Sequence, residues 1–389
     1  MKKIKTIILA VSLALPGILQ SQDTTALKTR TVQLGFVTPL SSNWVDSWNC
    51  TNKFSVNILG GYAGGINGAE FSTLVSVLKT DMKGAQFAGL GNIVINDVKG
   101  VQFSGLFNIS QGKVKAAQFA GGINLNTGTT KGFQSSLLAN INIDTTTGFQ
   151  ASGVLNYCKG AKTSQLSVFT NIHKGDMDGL QIAGFSNINS GRQSGVQIGG
   201  IFNYTRKLKG VQIGAINYVD SLEKGTPIGF LSFVKNGYKS FEVSSNETMY
   251  GVLSFKTGTR QFYNILSVGG GYRNNNYLFA YGYGIGTLIA LSPKVDIGIE
   301  GLCYQVNVGA WHKNGLNLLN KLNLTVAWNV ARHLTFFGGP SWNVTVSDIL
   351  DEFGNPIESS IAPWSVFDKT TDSGYNIKMY PGATIGVRF

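Results

Sequence analysis

Two columns of amide side chains are the most regular chemically capable groups in the sequence. A Gln recurs every 16 residues, with an occasional 15, and an Asn follows it six residues later. Amides donate and accept hydrogen bonds without carrying charge. A wall lined by these amides could pass or bind uncharged solutes. Alternatively, the amides bond each other across neighbouring strands and close the interior. Apolar residues on the same face favour this second arrangement. The columns consist of Gln86, Gln102, Gln118, Gln134, Gln150, Gln165, Gln181, Gln197, Gln212 and of Asn92, Asn108, Asn124, Asn140, Asn156, Asn171, Asn187, Asn203.

Residues suited to catalysis or metal binding are sparse. His173, His312 and His333 have no metal-ligand spacing to one another or to a Cys. No flanking motif places a Ser nucleophile beside His333. The segment 282–286 is Gly-rich but lacks the Lys-Ser/Thr pair of a phosphate-binding loop. We therefore expect no enzyme activity, no catalytic residue, no metal and no cofactor.

The amide columns belong to a 16-residue repeat that runs from Gly68 to about Val234 in eleven copies. One copy reads Gly-Val-Gln-Phe-Ser-Gly-Leu-Phe-Asn-Ile from residue 100 to 109, followed by a polar turn. Numbered from its Gly, the copy has apolar residues at positions 2, 4 and 10, Gln at 3, Asn at 9, and an apolar residue again at 7. Such alternation is typical of a β-strand. Self-similarity at a short fixed period predicts that each copy packs against its neighbours.

Charge is confined to the turns of the repeat. From Gly84 to Val219 the ten-residue strand windows contain no Asp, Glu, Lys or Arg. Ten residues at about 3.3 Å each span roughly 33 Å, enough for a tilted strand to cross an apolar band of about 25 Å, where a Lys or Arg costs about 2–4 kcal/mol. This favours a transmembrane antiparallel β-barrel. The alternative is a β-solenoid, in which like residues stack coil on coil and Gln and Asn ladders stabilise the stack.

Beyond the repeats, longer alternating segments predict about eight strands whose tight turns and longer loops alternate, as in outer-membrane barrels. The chain ends on alternating apolar residues, Ile385, Val387 and Phe389. That ending is similar to the closing-strand signal that the outer-membrane assembly machinery reads. The predicted strands are 239–243, 249–256, 261–271, 278–291, 295–308, 317–330, 333–347 and 378–389.

The N-terminus predicts export. Three lysines precede an apolar core over residues 6–15, and a Pro-Gly pair ends it, so residues 1–22 are expected to form a signal peptide. After this segment the sequence has no run of about 18 apolar residues, so we expect no membrane-spanning helix. The formal net charge is +12, but the lysines are scattered, so we expect no nucleic-acid partner. Cys50, Cys158 and Cys303 match no metal or CxxC spacing.

Over residues 54–389 the chain resembles the surface-repeat outer-membrane proteins of Gram-negative bacteria. Their units read Gly-apolar-Gln-apolar-x-Gly-apolar-x-Asn, and the copies that begin at Gly179 and Gly195 match this pattern. The segment 227–247 looks like that family's junction into its C-terminal strands. The resemblance implies the outer membrane or the cell surface, and it implies no chemistry.

These observations predict an all-β transmembrane antiparallel barrel of about 20 strands, with a structural or passive-permeation role for uncharged solutes. The alternative is a repeat β-solenoid followed by a small C-terminal barrel, which would act as a binding or adhesion module at the cell surface. The expected partners are outer-membrane lipid and the barrel assembly machinery. The expected divisions are a signal peptide (1–22), N-terminal strands (23–67), eleven repeats (68–234) and C-terminal barrel strands (235–389).

Overall fold

A computed structural model of the chain describes residues 27–160, 162–273, 275–309, 315–331, 333–348 and 361–389, so the predicted signal peptide lies outside the described residues. The described chain is almost entirely β-strand, with one 3-10 helix at Trp44–Asn49. The strands are β1 (Lys28–Val37), β2 (Leu40–Ser41), β3 (Cys50–Ala63), β4 (Gly65–Ser72), β5 (Val75–Leu78), β6 (Met82–Ala88), β7 (Gly91–Val94), β8 (Val98–Ser104), β9 (Phe107–Ser110), β10 (Val114–Ala120), β11 (Ile123–Asn126), β12 (Thr130–Ser136), β13 (Ala139–Ser152), β14 (Leu155–Lys159), β15 (Thr163–Ser167), β16 (Thr170–Lys174), β17 (Met177–Ala183), β18 (Ser186–Gly199), β19 (Phe202–Ile213), β20 (Ile216–Leu222), β21 (Thr226–Ile228), β22 (Leu231–Val234), β23 (Tyr238–Asn246), β24 (Gly251–Gly258), β25 (Tyr263–Arg273), β26 (Asn276–Ser292), β27 (Val295–Val308), β28 (Asn317–Ala331), β29 (Leu334–Ser347), β30 (Phe367–Thr370) and β31 (Asn376–Arg388).

The repeats form a β-solenoid of about 11 turns with a 16-residue spacing. Each copy has a longer and a shorter extended segment, separated by a sharp corner at positions 6 and 7; β8 and β9 are one such pair. Strands β13, β18 and β19 each continue from the shorter segment of one copy into the longer segment of the next. Equivalent strands of successive copies pair in parallel and in register, so that Gln102 lies opposite Gln118 and Asn108 opposite Asn124. A single antiparallel barrel of about 20 strands is therefore not formed. The ten-residue segment that was predicted as one membrane-crossing strand is instead two strands separated by a corner. The chain changes direction at that corner and does not continue straight across.

The N-terminal strands belong to the same stack rather than to a separate unit. Strand β3 pairs in parallel with the first repeat strand, β4, and β1 pairs in parallel with β3. This register places Gln33 and Ser55 in line with Glu70, which occupies the Gln position of the first copy. The solenoid thus begins at β1, before the first recognisable repeat.

Glycine at position 1 allows successive copies to approach closely. Gly100 has φ of +135°, and a Cβ built on it would lie 1.9 Å from the carbonyl oxygen of Gly84. Gly84 has the same arrangement against Gly68. Only glycine fits this combination of left-handed backbone and carbonyl contact. Glycine is thus required in the copies that adopt this backbone, whereas Ala116 and Thr163 hold position 1 of two other copies without a left-handed φ.

The C-terminal strands close into a separate antiparallel barrel. Strands β23 to β29 pair in sequence order, β29 pairs with β31, and β31 pairs with β23. All eight strands predicted for this region are confirmed, and β30 adds to β31 at the end that carries the longer loops. This arrangement is the alternative architecture expected from the sequence.

The last turn of the solenoid packs on the outer wall of the barrel. The Asn264 side chain of β25 accepts a hydrogen bond from the Ser232 backbone N–H at 2.8 Å and donates to the Gly229 carbonyl at 2.7 Å. The rings of Phe230 and Tyr283 stack with centroids 4.5 Å apart. Since β23 follows β22 after only a short turn, this contact fixes the end of the solenoid near the tight-turn end of the barrel.

We expect Gly100→Ala to destabilise the solenoid by at least about 2 kcal/mol, because it combines a strained φ with a clash against the Gly84 carbonyl of the preceding copy. Thermal unfolding of the full chain, followed by circular dichroism, measures this. Gly251→Ala is the control, because a Cβ there meets nothing within 4 Å. Equal melting temperatures for the two variants would contradict the steric role of the Gly column.

Candidate functional site

The Gln column forms one continuous ladder inside the solenoid. Each Gln donates from Nε2 to the Oε1 of the Gln in the preceding copy, as Gln118 does to Gln102 at 2.7 Å. The other Gln-to-Gln distances lie between 2.6 and 3.1 Å. None of these side chains is more than 1% exposed. A buried amide is stable only when it is hydrogen-bonded, and the parallel register supplies a partner in every copy.

The Asn column forms a second ladder that runs in the opposite direction. Each Asn donates from Nδ2 to the Oδ1 of the Asn in the following copy, as Asn108 does to Asn124 at 2.8 Å. Its second N–H is donated to a backbone carbonyl, which for Asn108 is that of Phe119 at 2.9 Å. Because both N–H groups are committed, the orientation of each amide is determined. The same pattern continues from Asn92 to Asn217.

The ladders end where the sequence replaces an amide. Gln86 donates to the carboxylate of Glu70 at 3.0 Å, which terminates the Gln ladder on the N-terminal side. At the other end Pro227 lies opposite Gln212, and the Gln212 Oε1 has no partner among the described residues. The Asn92 Oδ1 is likewise unpaired at the start of its ladder.

In this fold the amides hold the solenoid closed. The side chains meet one another in the interior, so the Gln and Asn columns line no open channel in the described residues. The sequence left two alternatives open, and in the structure the amides bond each other. Their hydrogen-bonding groups are therefore occupied by contacts between copies.

The outer surface of the solenoid is apolar. In the first four copies position 4 carries a Phe, and these rings stack along the outside; the rings of Phe87 and Phe103 lie 5.3 Å apart and those of Phe103 and Phe119 lie 4.7 Å apart. Position 7 projects from the corner, where its side chains are 39–56% exposed. We call this row the apolar edge. It consists of Leu74, Leu90, Leu106, Leu138, Val154, Phe169, Phe185 and Ile201 at position 7 and of Phe230 at position 6 of the last copy, and Gly122 leaves one gap in the row.

A row of charged residues lies on the side of the solenoid away from that corner, in the segments that connect one copy to the next, which are turns or adjoining parts of strands. We call this row the charged edge. The solenoid is therefore amphipathic across its section. The charged edge includes Asp81, Lys83, Asp97, Lys99, Lys113, Lys115, Lys131, Asp144, Lys159, Lys162, Lys174, Asp176, Asp178, Arg192, Arg206, Lys207, Lys209, Asp220, Glu223, Lys224 and Lys235.

The interior of the barrel contains a buried ionic network. The Lys256 ammonium lies 2.6 Å from Glu242 and 2.5 Å from Glu300. Arg388 of the last strand lies 3.0 Å from Glu242, and the Tyr263 hydroxyl donates to Glu300 at 2.7 Å. This network was not predicted from the sequence, although strand alternation alone puts these charges on the face opposite the exposed apolar residues.

The outward face of the barrel is mainly apolar. Outward positions in the middle of the strands carry exposed aliphatic and aromatic residues, whereas the outward charge Lys239 lies at the tight-turn end. The closing-strand residues Ile385, Val387 and Phe389 also face outward, and the Phe389 backbone pairs with Phe241. The exposed mid-strand residues include Val243, Leu253, Val268, Ile285, Ile299, Leu322, Leu324, Val326, Phe336 and Ile385.

Groups suited to other chemistry lie apart. His173 is buried at position 11 of its copy, with its Nδ1 3.1 Å from the Gly175 carbonyl oxygen. Cys50, Cys158 and Cys303 are all free thiols. Within the described ranges, no group of three His, Cys, Asp or Glu residues is placed to hold a metal ion. The structure brings no catalytic set together among these residues.

Fold and surface together define a class: a β-solenoid with amide ladders, joined to an eight-stranded closed barrel. Comparisons with protein-family models, with curated proteins and with solved structures found no match. The resemblance to surface-repeat proteins therefore stays a prediction from the residues. No helix in the described part of the chain has the length and hydropathy needed to cross a bilayer.

We expect Gln134→Ala to lower the free energy of unfolding by about 3 kcal/mol, because it leaves the buried donors of Gln150 and Asn142 without an acceptor. Urea denaturation followed by far-UV circular dichroism measures the loss. Gln111→Ala, at an exposed turn position, is the control and should change stability by less than about 0.5 kcal/mol. A similar effect of both substitutions would exclude the ladder as a source of stability.

Glu70 makes the first turn sensitive to pH. Burial raises the pKa of Glu70 to about 7 from an ordinary value of 4.5, against the lowering effect of hydrogen bonds from Ser76, Gln86 and Asn57. The folded protein thus retains a proton that the unfolded chain releases, so this carboxyl makes stability fall as pH rises between about 4.5 and 7.

Glu70→Gln should therefore stabilise the protein above pH 7, by about 3 kcal/mol for a shift of this size, and remove that part of the pH dependence. Melting temperatures measured from pH 4.5 to 8 test the expectation. The exposed Glu223→Gln serves as control. If the melting temperature of Glu70→Gln varies with pH in parallel with that of the unmodified protein, Glu70 is not the source of the pH dependence.

Proposed function

We propose that this protein is a membrane-anchored β-solenoid, with the C-terminal barrel embedded in lipid and the solenoid acting as a structural and binding module attached to it. The observation that carries the proposal is the outer wall of the barrel, which is hydrocarbon along the middle of its strands, around an interior that holds both paired ions and an apolar cluster. A barrel in water is expected to carry polar side chains on that outer wall, because apolar surface is stabilised by removal from water.

The energetic reason lies in the two faces of the wall. Lys256, Glu242 and Arg388 are buried but paired, so none of these charges is left uncompensated. The outward mid-strand positions of β28, such as Leu322, Leu324 and Val326, are more than half exposed. A closed barrel also pairs every backbone group within its wall, as a lipid environment requires. Hydrocarbon chains are the surroundings that suit both faces.

Passive permeation has little support. An eight-stranded barrel has an interior just wide enough for side chains to fill, and Lys256, Tyr263 and Glu300 meet across this one. The solenoid interior is filled by the amide ladders and by buried apolar side chains. We propose an anchoring and structural role, without catalysis.

We place the protein in the outer membrane of a Gram-negative cell. Support comes from the signal-peptide pattern of residues 1–22 and from the alternating C-terminal residues Ile385, Val387 and Phe389. In this proposal the barrel assembly machinery reads those three residues, and outer-membrane lipid surrounds the wall. Binding or adhesion at the solenoid surface is the role proposed for the repeats.

Leu324→Lys should impair membrane assembly, because a lysine at mid-barrel costs about 2–4 kcal/mol in lipid. Leu291→Lys is the matched control: Leu291 is equally outward but lies near the tight turn at the end of β26, where the cost falls to about 0–1 kcal/mol. The measurement is the fraction of protein that floats with phospholipid vesicles and shifts its gel mobility on boiling.

Two results would count against the proposal. One is a full chain that stays monomeric in water without detergent and does not float with vesicles. The other is a steady single-channel current in planar bilayers, which would restore the permeation role and require an open interior.

A further inference from the structure

We propose that the apolar edge of the solenoid is itself inserted in the membrane, in the leaflet that surrounds the tight-turn end of the barrel, so that the solenoid lies along the bilayer surface. This rests on the proposed function of the barrel and extends it to the repeats. The apolar edge is then covered by the acyl chains of lipids rather than by a protein partner.

The first support is the chemistry of the edge. Its side chains are Leu, Ile, Val and Phe, and positions 1 to 10 of the copies from Gly84 to Val219 contain no charge. Turns stacked about 4.8 Å apart make this row roughly 50 Å long. A protein interface of that length normally has polar residues mixed into its rim, whereas this row is hydrocarbon throughout.

The second support is the backbone at the corner. The Leu106 N–H donates to the Leu90 carbonyl at 2.8 Å, and the Leu138 N–H donates to the Gly122 carbonyl at 3.0 Å. The same contact recurs between Ile201 and Phe185 at 3.0 Å. In hydrocarbon an unpaired backbone group costs several kcal/mol in general, so a segment enters lipid only when its backbone is satisfied. The corner meets this condition between copies.

The third support is the way the two parts of the chain are aligned. At the junction, Phe230 of the apolar edge stacks on Tyr283, an outward residue of the barrel wall. From there β22 runs toward the tight-turn end of the barrel, where the Lys239 ammonium donates to the Lys235 carbonyl at 3.0 Å. The apolar edge of the solenoid therefore contacts the apolar wall of the barrel, and the charged edge lies beside the charged end of the barrel.

This alignment is what a shared bilayer requires. If the barrel wall lies in lipid, the apolar edge leaves the wall at the same depth as Tyr283. The charged edge then leaves it at the level of Lys239, in water. An element with one apolar and one charged side that lies in the plane of the membrane follows the physics of interfacial amphipathic structures.

Spin labelling of the full chain in phosphatidylcholine vesicles tests the proposal. In a Cys303→Ser background, with the buried Cys50 and Cys158 retained, one nitroxide is attached at Leu106→Cys on the apolar edge. A second is attached at Gln111→Cys in the turn of the same copy, and a third at Leu324→Cys on the barrel wall. Collision rates with oxygen, which concentrates in lipid, and with a water-soluble nickel chelate are then measured for each.

We expect the Leu106 label to be reached several-fold more by oxygen than by nickel, as the Leu324 label is, and the Gln111 label to show the reverse. If Leu324 lies in lipid while Leu106 and Gln111 are equally open to nickel, the inserted edge is refuted and the anchored barrel stands. If Leu324 is open to nickel as well, the proposed function fails too. Dipolar broadening at Leu106 that disappears on dilution with unlabelled protein would assign the edge to a second copy and overturn the lipid assignment.

Discussion

The requirement that a buried amide find a hydrogen-bond partner governs the solenoid. A parallel, in-register stack satisfies it, because each Gln then faces the Gln of the neighbouring copies and each Asn faces an Asn. A slip of one residue would turn the amides of that strand to the outer surface and its outward apolar side chains inward. The ladder is therefore a device for register as well as a source of stability.

Irregular copies show how strongly this register is maintained. Gln197 and Gln212 are 15 residues apart and Asn203 and Asn217 only 14, yet their amides still bond at 2.6 and 2.9 Å. The missing residues are taken from the turn and the corner, where the backbone can adjust. The two ladders also point in opposite directions along the solenoid, so that their bond dipoles oppose each other.

The solenoid and the barrel both bury partnered polar groups beside an apolar cluster, and both carry hydrocarbon on their outer surfaces. In the solenoid the buried polar groups of the ladders are neutral amides, which bond one another. In the barrel they are ions, and Lys256 is compensated by two carboxylates, Glu242 and Glu300. At the junction Asn264 provides an amide to the last turn of the solenoid, so polar pairing continues from one part to the other. The hydrocarbon on both outer surfaces is what the proposed membrane setting explains.

Much of this architecture is determined by the sequence alone. The alternation within each copy identifies strands and assigns Gln102 and Phe103 to opposite faces, and the eight C-terminal strands follow from the same period and from their turns. These features are local, since they depend on neighbouring residues. The direction of successive copies is not local: an antiparallel hairpin and a parallel coil both accommodate the pattern. Only the corner at Gly105 and Leu106, which splits the window into β8 and β9, decides between them. The ion pairs that fill the barrel likewise join strands distant in sequence, such as β23, β24 and β27, so tertiary closure alone brings Glu242, Lys256 and Glu300 together.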